Sequence, residues 1–257
     1  MNNLSFLGFS AWRVWQRNWD VFMRLWRVEL WPGFLEPVII LLAMGFGLGA
    51  FVQPIEGQSY LQFIAPGLVA SSAMFSAAFE CTYGSFVRMD FQKTYEAILA
   101  TPLMVEDVIT GEILWGATRS LFSGGVVLIV ITAFGLVHSP AVLLILPLLF
   151  LEGLVFSSIS LSFTGLAPTI YTFNYYFTLF ITPLFFFSGI FFPLEQLPSI
   201  FQTLSWFAPL THVVNLYRPL VSGHISLGLA LDFAWLVVAA GIFLAFSQFV
   251  MRRRLIV

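Results

Sequence analysis

What most limits this chain is the contrast between one charged stretch and the hydrocarbon on either side of it. Arg88–Glu112 reads RMDFQKTYEAILATPLMVEDVITGE and holds seven charges: Arg88, Asp90, Lys93, Glu96, Glu106, Asp107 and Glu112. The sequence before and after it is close to continuous hydrocarbon. A charge at the bilayer centre costs roughly 2.5–3.5 kcal/mol on insertion scales, so this stretch stays out of lipid while its neighbours cross it. Thr94–Leu99 has helix-forming composition, and Pro102 stops that helix. A short polar helix held between two membrane spans is expected to be a docking element that receives force from a partner. Composition agrees, because only 9% of residues are charged where a soluble domain carries about a quarter. Cys81, the single cysteine, lies in a span, which excludes a disulfide framework and a cysteine metal site. No segment outside the membrane is long enough to bury a core. Residues 1–257 therefore read as one all-α membrane domain, with no basic patch for nucleic acid.

The N-terminal residues lack the charged start, short apolar core and small-residue cleavage site of a signal peptide. Residues 10–30 show a helical pattern instead. At about 100° per residue, Arg13, Arg17, Asp20, Arg24 and Arg27 share one arc, and Trp12, Trp15, Trp19, Phe22 and Trp26 share another. Such a helix is expected to lie in the interface, with indoles among headgroups and arginines in water. Pro32 and Pro37 are expected to break the chain before the first span.

Spans are expected at about 34–52, 63–87, 113–137, 140–167, 172–192 and 228–249, each long enough for a hydrocarbon core of ~30 Å. The N-terminal helix, the 88–112 loop with Arg119 beside it, and the Arg252–Arg254 tail carry ten of the eleven Lys and Arg residues. Both termini and the 88–112 loop are accordingly read as cytoplasmic. Six spans satisfy this; five or seven would put the triple arginine outside.

Residues 193–227 do not fit a solvated loop. Glu195 and Arg218 are the only full charges among many apolar side chains, and Pro193, Pro198, Pro209 and Pro219 cut the segment into pieces too short to span. Apolar helices at membrane depth must be covered by protein or dip in and return. The segment reads as a re-entrant helical hairpin on the outer side, with a surface cap as the alternative.

No energy source is encoded. The only lysine, Lys93, follows Gln92 rather than the glycine of a phosphate-binding loop. His138, His212 and His224 lack metal-ligand spacing, so no metal site is expected. The membrane-embedded charges say more. Glu80 sits on a small-residue face of span 2 with Ala73, Ala77 and Gly84; Arg119 shares a face of span 3 with Glu112, Gly116 and Ser123. Counted inward at 1.5 Å per residue, Glu80 and Arg119 both lie roughly 10 Å deep and are expected to pair. Glu152 falls near the middle of span 4, as a transport residue or as a carboxyl packed among helices. Gly45 and Gly49 form a G-x-x-x-G in span 1 that permits close helix approach. Phe173, Tyr176, Phe180, Phe187 and Phe191 stripe one side of span 5.

LEPVIILLAMGFGLGAFV, YLQFIAPGLVASSAMFSAAFE and the 88–112 stretch resemble the permeases of ABC-2 type exporters. The likeness is strongest to the lipo-oligosaccharide branch typified by the nodulation-factor permease, which is related to daunorubicin-type drug exporters. The resemblance implies a bacterial inner-membrane permease that pairs with a second copy, a homodimer, above two ATPase subunits that hold the ATP and Mg. It makes Arg88, Lys93, Thr94, Tyr95, Glu96, Ala97, Ile98, Leu99, Ala100, Thr101 and Pro102 look like the ATPase-coupling element. Gly45, Gly49, Glu152 and the span 5 aromatics would line the path. Phe201, Leu204, Phe207 and Leu210 would form an outer gate. The cargo would be an amphiphile moved outward, glycolipid-like or a drug. The rival from another class is a membrane-embedded enzyme using Glu80 or Glu152 as acid or base.

Overall fold

A computed structural model describes residues 7–49, 51–55, 57–223 and 228–256; the side chains of residues 27–34, among others, and His224 lie outside that description, and with them the expected role of Arg27. The described residues form nine main helices: α1 (Leu7–Leu42), α2 (Tyr60–Phe91), α3 (Thr94–Leu99), α4 (Val105–Ala133), α5 (Ile145–Leu166), α6 (Ile170–Phe187), α7 (Ser199–Trp206), α8 (Pro209–Ser222) and α9 (Leu229–Leu255). Five of the helical stretches are long and apolar enough to cross a membrane: α2, α4, α5 with its leading turn Pro140–Leu144, α6 and α9. The expected span at 34–52 coincides with the end of α1 and the π-helical turn Ala43–Leu48 that continues it.

Helix ends follow local chemistry. At the start of α2 the Ser59 hydroxyl accepts from the Gln62 amide while the Gln62 side chain accepts from the Ser59 amide, a reciprocal cap for two orphan donors. Glu106 and Asp107 occupy the first turn of α4, where the helix dipole favours negative charge, and Asp107 accepts from the Met104 amide. Arg252, Arg253 and Arg254 occupy the last turn of α9, at the dipole's opposite end. The corner between α2 and α3 is made at Lys93, the only non-glycine residue with positive φ among the described residues, at φ 54°. A side chain in the left-handed region is strained, so this corner is held by its surroundings.

Three sequence expectations change here. Pro32 and Pro37 do not break the chain: α1 runs unbroken from Leu7 to Leu42. Proline is tolerated in long membrane helices because neighbouring groups re-satisfy the freed carbonyls. Nor do the N-terminal indoles face only headgroups. Trp12, Trp15 and Trp19 stack in series, and Trp19 and Phe22 pack on Trp115 and Phe122 of α4. Gly111 permits this approach, since a Cβ there would lie 2.8 Å from the Ala11 carbonyl. Finally, the 88–112 stretch is not one loop. Helix α2 carries on through two π-turns, Glu80–Gly84 and Val87–Phe91, and α4 begins at Val105, leaving α3 and its two corners between them.

Helix α4 packs against α1, α2 and α5, and α5 against α9. At the α4–α5 contact a Cβ on Gly153 would meet the Ala117 backbone at 2.6 Å, so only glycine lets the two helices close. Residues 193–223 form a hairpin of α7 and α8. Helix α8 is covered by protein of the same chain, with Leu210, Val213, Val214 and Tyr217 fully buried, whereas α7 leaves Ile200, Leu204, Trp206 and Phe207 exposed.

Candidate functional site: a buried charge cluster beside the short helix

Three of the stretch's seven charges, Arg88, Asp107 and Glu112, turn inward. Arg88, expected on the docking surface, lies in the interior between two carboxylates. It donates to Glu80 Oε1 at 2.8 Å, and to Glu112 Oε2 through Nε at 3.1 Å and Nη2 at 2.5 Å. Ser85 adds a 2.7 Å bond to the same Glu112 oxygen, and Asn18 of α1 donates to the other at 3.0 Å. Both oxygens of the buried Glu112 thus accept hydrogen bonds, three on Oε2 and one on Oε1, which is the condition under which a charge can leave water. Arg119 Nε approaches Glu80 Oε2 at 3.5 Å, the outer member of the group. Two arginines and two glutamates make the cluster neutral as a whole, and it joins α1, α2 and α4.

The π-turn at Glu80–Gly84 helps to build it. Gly84 lies against both Glu80 Oε1 and Arg88 Nη1, so the two side chains close over a residue that has none. Extra residues per turn of this kind recur at functional sites. Asn18 and Ser85 were not anticipated from sequence. For Asn18 the signal exists: on the helical wheel it falls beside Trp15 and Phe22, a lone amide on the aromatic side.

Helix α3 is anchored to this cluster by Tyr95. Its ring is buried with Phe86, Met89, Val108 and Ile109. Burial first, and then the negative charge of Glu112, hold its phenol well above the ordinary tyrosine range, so it stays uncharged. From that anchor Lys93, Glu96, Ala97, Ala100, Thr101 and Pro102 point outward, with Lys93 and Glu96 paired at 3.0 Å in the open. Thr94, Ile98 and Leu99 are half-buried. The basic tail closes the same region: Arg252 pairs with Glu106 at 3.2 Å, and Arg254 with Asp90 at 3.2 Å. Arg254 also donates to the carbonyls of Thr164 and Ala167 at the end of α5.

The other expected site residues are scattered. Glu152 is fully buried and accepts from the Tyr217 hydroxyl at 2.8 Å, tying α5 to α8. Gly45 approaches the Leu61 side chain, and Gly49 the Gly45 carbonyl of its own helix. The span 5 aromatics do not form one stripe. Phe173 and Tyr176 are buried, Tyr176 stacking on Phe163 and bonding Ser160 at 2.8 Å, while Phe180 and Phe187 are more than a third exposed. Phe191 lies beyond the helix end, against Phe185 and Phe186. The π-turn Phe177–Ile181 shifts the phase of α6, so a 100° periodicity cannot persist along it. In the α7–α8 hairpin Phe201 stacks on Phe187 at 5.2 Å, and Leu204 and Phe207 are exposed. Leu210, by contrast, is a core residue with no exposed surface.

The site is thus a neutral, buried charge cluster set beside an exposed helix between two long apolar helices. The chain is a member of the ABC-2 type transporter family, whose description matches residues 10–221. Within that family it is 39% identical over 243 residues to Nodulation protein J of Sinorhizobium fredii, covering 95% of this chain and 93% of that protein. It is 38% identical over 248 residues to Nodulation protein J of Rhizobium leguminosarum bv. viciae, covering 96% of each. The Escherichia coli inner membrane transport permease YadH is 29% identical over 229 residues, 88% of each chain. The membrane-enzyme alternative is set aside by that membership.

Proposed function

We propose that this chain is the permease subunit of an ATP-driven exporter, and that α3 is the element through which a separate ATPase moves it. The observation that carries the reading is the two-sided character of α3. One side, Tyr95, is sunk in the core against the charge cluster; the other presents Glu96, Ala97, Ala100 and Thr101 to the aqueous phase. A push on α3 reaches α1, α2 and α4 together, because Arg88, Glu112 and Asn18 bind those helices to one another. ATP and Mg reside on the partner, present in two copies beneath a homodimer of permeases.

The cargo is an amphiphile, of the lipo-oligosaccharide or glycolipid kind, carried outward. Support comes from the likeness to nodulation proteins along nearly the whole chain. Six spans with both termini cytoplasmic, in the bacterial inner membrane, fit the clustering of Lys and Arg at α1, the α2–α4 connection and the tail. Gly45, Gly49, Glu152 and the far end of α6, with Phe187, border the path. The α7–α8 hairpin is the outer re-entrant gate, sealed by Phe201, Leu204 and Phe207. The test is cysteine crosslinking of Glu96→Cys and Ala100→Cys permeases, co-expressed with the partner ATPase. Crosslinks to the ATPase are expected at both positions, and their absence at both refutes the coupling role.

A further inference from the structure

A slot opens between α5, α6 and α9. It has a cavity of about 360 Å³, lined by Ile159, Phe163, Tyr175, Leu179, Phe180 and Phe246 among others. That lies in the size range of ligand-holding pockets, roughly 300–1,000 Å³. Its walls are almost wholly apolar, yet it belongs to none of the contacts that couple α3 to the spans. On the α6 wall Tyr175 and Leu179 are both about two-thirds exposed or more.

The chemistry changes along the slot. Phe180 and Leu179 lie further into α6, whereas Tyr175 is near its first turns, so a phenol stands at the mouth. The same gradient runs along α9. Arg253 follows Phe246 by seven residues, which places it within about 20° of the same face and about 10 Å nearer the helix end. Its guanidinium lies over the Phe249 ring, 4.1 Å from the centroid. The tail's other two arginines are paired with carboxylates of the same chain, Arg252 with Glu106 and Arg254 with Asp90. Arg253 has no acidic partner among the described residues and is exposed. An apolar slot with one phenol at its mouth, and one uncompensated cation about 10 Å beyond it along the same face of α9, has the polarity of a site for an anionic amphiphile.

We infer that this slot holds an acyl chain of an anionic phospholipid of the cytoplasmic leaflet, whose phosphate is met by Arg253. A second copy of the chain is the poorer occupant, since a helix is about 10–12 Å across and the slot is lined by bulky rings rather than small residues. The anionic charge of the cytoplasmic leaflet adds a pull on any uncompensated cation near its surface. This inference rests on the proposed topology, which puts the end of α9 and the start of α6 on the cytoplasmic side.

The experiment uses the full-length permease in vesicles doped with phosphatidylglycerol or phosphatidylcholine carrying the same photoactivatable acyl chain. Phosphatidylglycerol is expected to label residues of the slot about fivefold more than phosphatidylcholine, the weight of one surface cation. Arg253→Gln should remove that preference and leave phosphatidylcholine labelling unchanged. Leu179→Trp should fill the slot and abolish labelling by both, with the wild-type ratio of the two lipids standing as a readout that needs no variant. Equal labelling by the two lipids, labelling outside the slot, or crosslinks from the slot to a second copy would each overturn the inference. Arg253→Cys, probed with impermeant thiol reagent from each side, reports the topology separately, so an error there is distinguished from failure of the lipid site.

Discussion

Arg88 and Glu112, twenty-four positions apart, meet through two hydrogen bonds to a single carboxylate oxygen, at 3.1 and 2.5 Å. The contact fixes the end of α2 against α4 one turn below the corner that leads into α3. Removing one partner of a buried pair leaves the other charge without compensation, at a cost of about 3–5 kcal/mol. Arg88→Met and Glu112→Gln are each expected to destabilise the detergent-solubilised permease strongly, with the double variant losing less than the sum. Arg119→Met should cost much less, because its approach to Glu80 is 3.5 Å and both side chains reach solvent. Thermal unfolding of the four variants checks this, and additivity of Arg88→Met with Glu112→Gln refutes the pairing.

The two sides of α3 should separate coupling from folding. Glu96→Lys reverses an exposed charge and is expected to leave insertion and stability intact while abolishing substrate-stimulated hydrolysis by the ATPase. Tyr95→Ala empties a buried site and should cost about 3–5 kcal/mol, in line with large-to-small core changes of aromatic residues. Expression level, thermal midpoint and ATPase rate together distinguish the two. Wild-type stimulation in the Glu96→Lys permease counts against α3 as the transmission element.

Tyr217 and Glu152 join the α7–α8 hairpin to α5. Tyr217→Phe deletes the donor and leaves a buried carboxyl oxygen without its partner, an expected loss of about 1–3 kcal/mol. Combining it with Glu152→Leu should recover part of that loss, since replacing both partners with apolar groups removes the unpaired one. Urea or thermal unfolding of the single and double variants is the measurement, and a double variant no more stable than Tyr217→Phe alone argues against the bond.

The exposed and buried halves of the hairpin give opposite expectations. Phe207→Ser should make the resting transporter leaky to ions while ATP hydrolysis continues, as a sealing residue would. Leu210→Ser should instead destabilise the fold by about 2–5 kcal/mol, because that side chain is fully buried. Ion flux in vesicles and thermal unfolding read the two outcomes. Leakage from Leu210→Ser without loss of stability would assign that residue to the gate.

Reporter fusions test the orientation. Those placed after Lys93 and at the C-terminal end are expected to report the cytoplasm, and one at Gly57 the outside. A periplasmic signal from the tail would rule out the six-span reading.

The sequence by itself determined the membrane class, the positions of the long apolar helices and the existence of α3. These follow from local quantities: hydrocarbon length against bilayer thickness, and the cost of burying charge. The Thr94–Leu99 helix is legible for the same reason, since its composition and Pro102 act within a few residues. Tertiary structure alone decided where the charges go. Arg88 was legible as a loop charge but its partners were not, because Glu80 and Glu112 reach it only when α2 bends through two π-turns and packs on α4. The pairing of the tail arginines with Glu106 and Asp90 spans well over a hundred residues and has no local signature. The N-terminal indoles show the same limit. Their periodicity marks an apolar face, but whether that face meets headgroups or another helix depends on Gly111 of α4, which no pattern within α1 encodes.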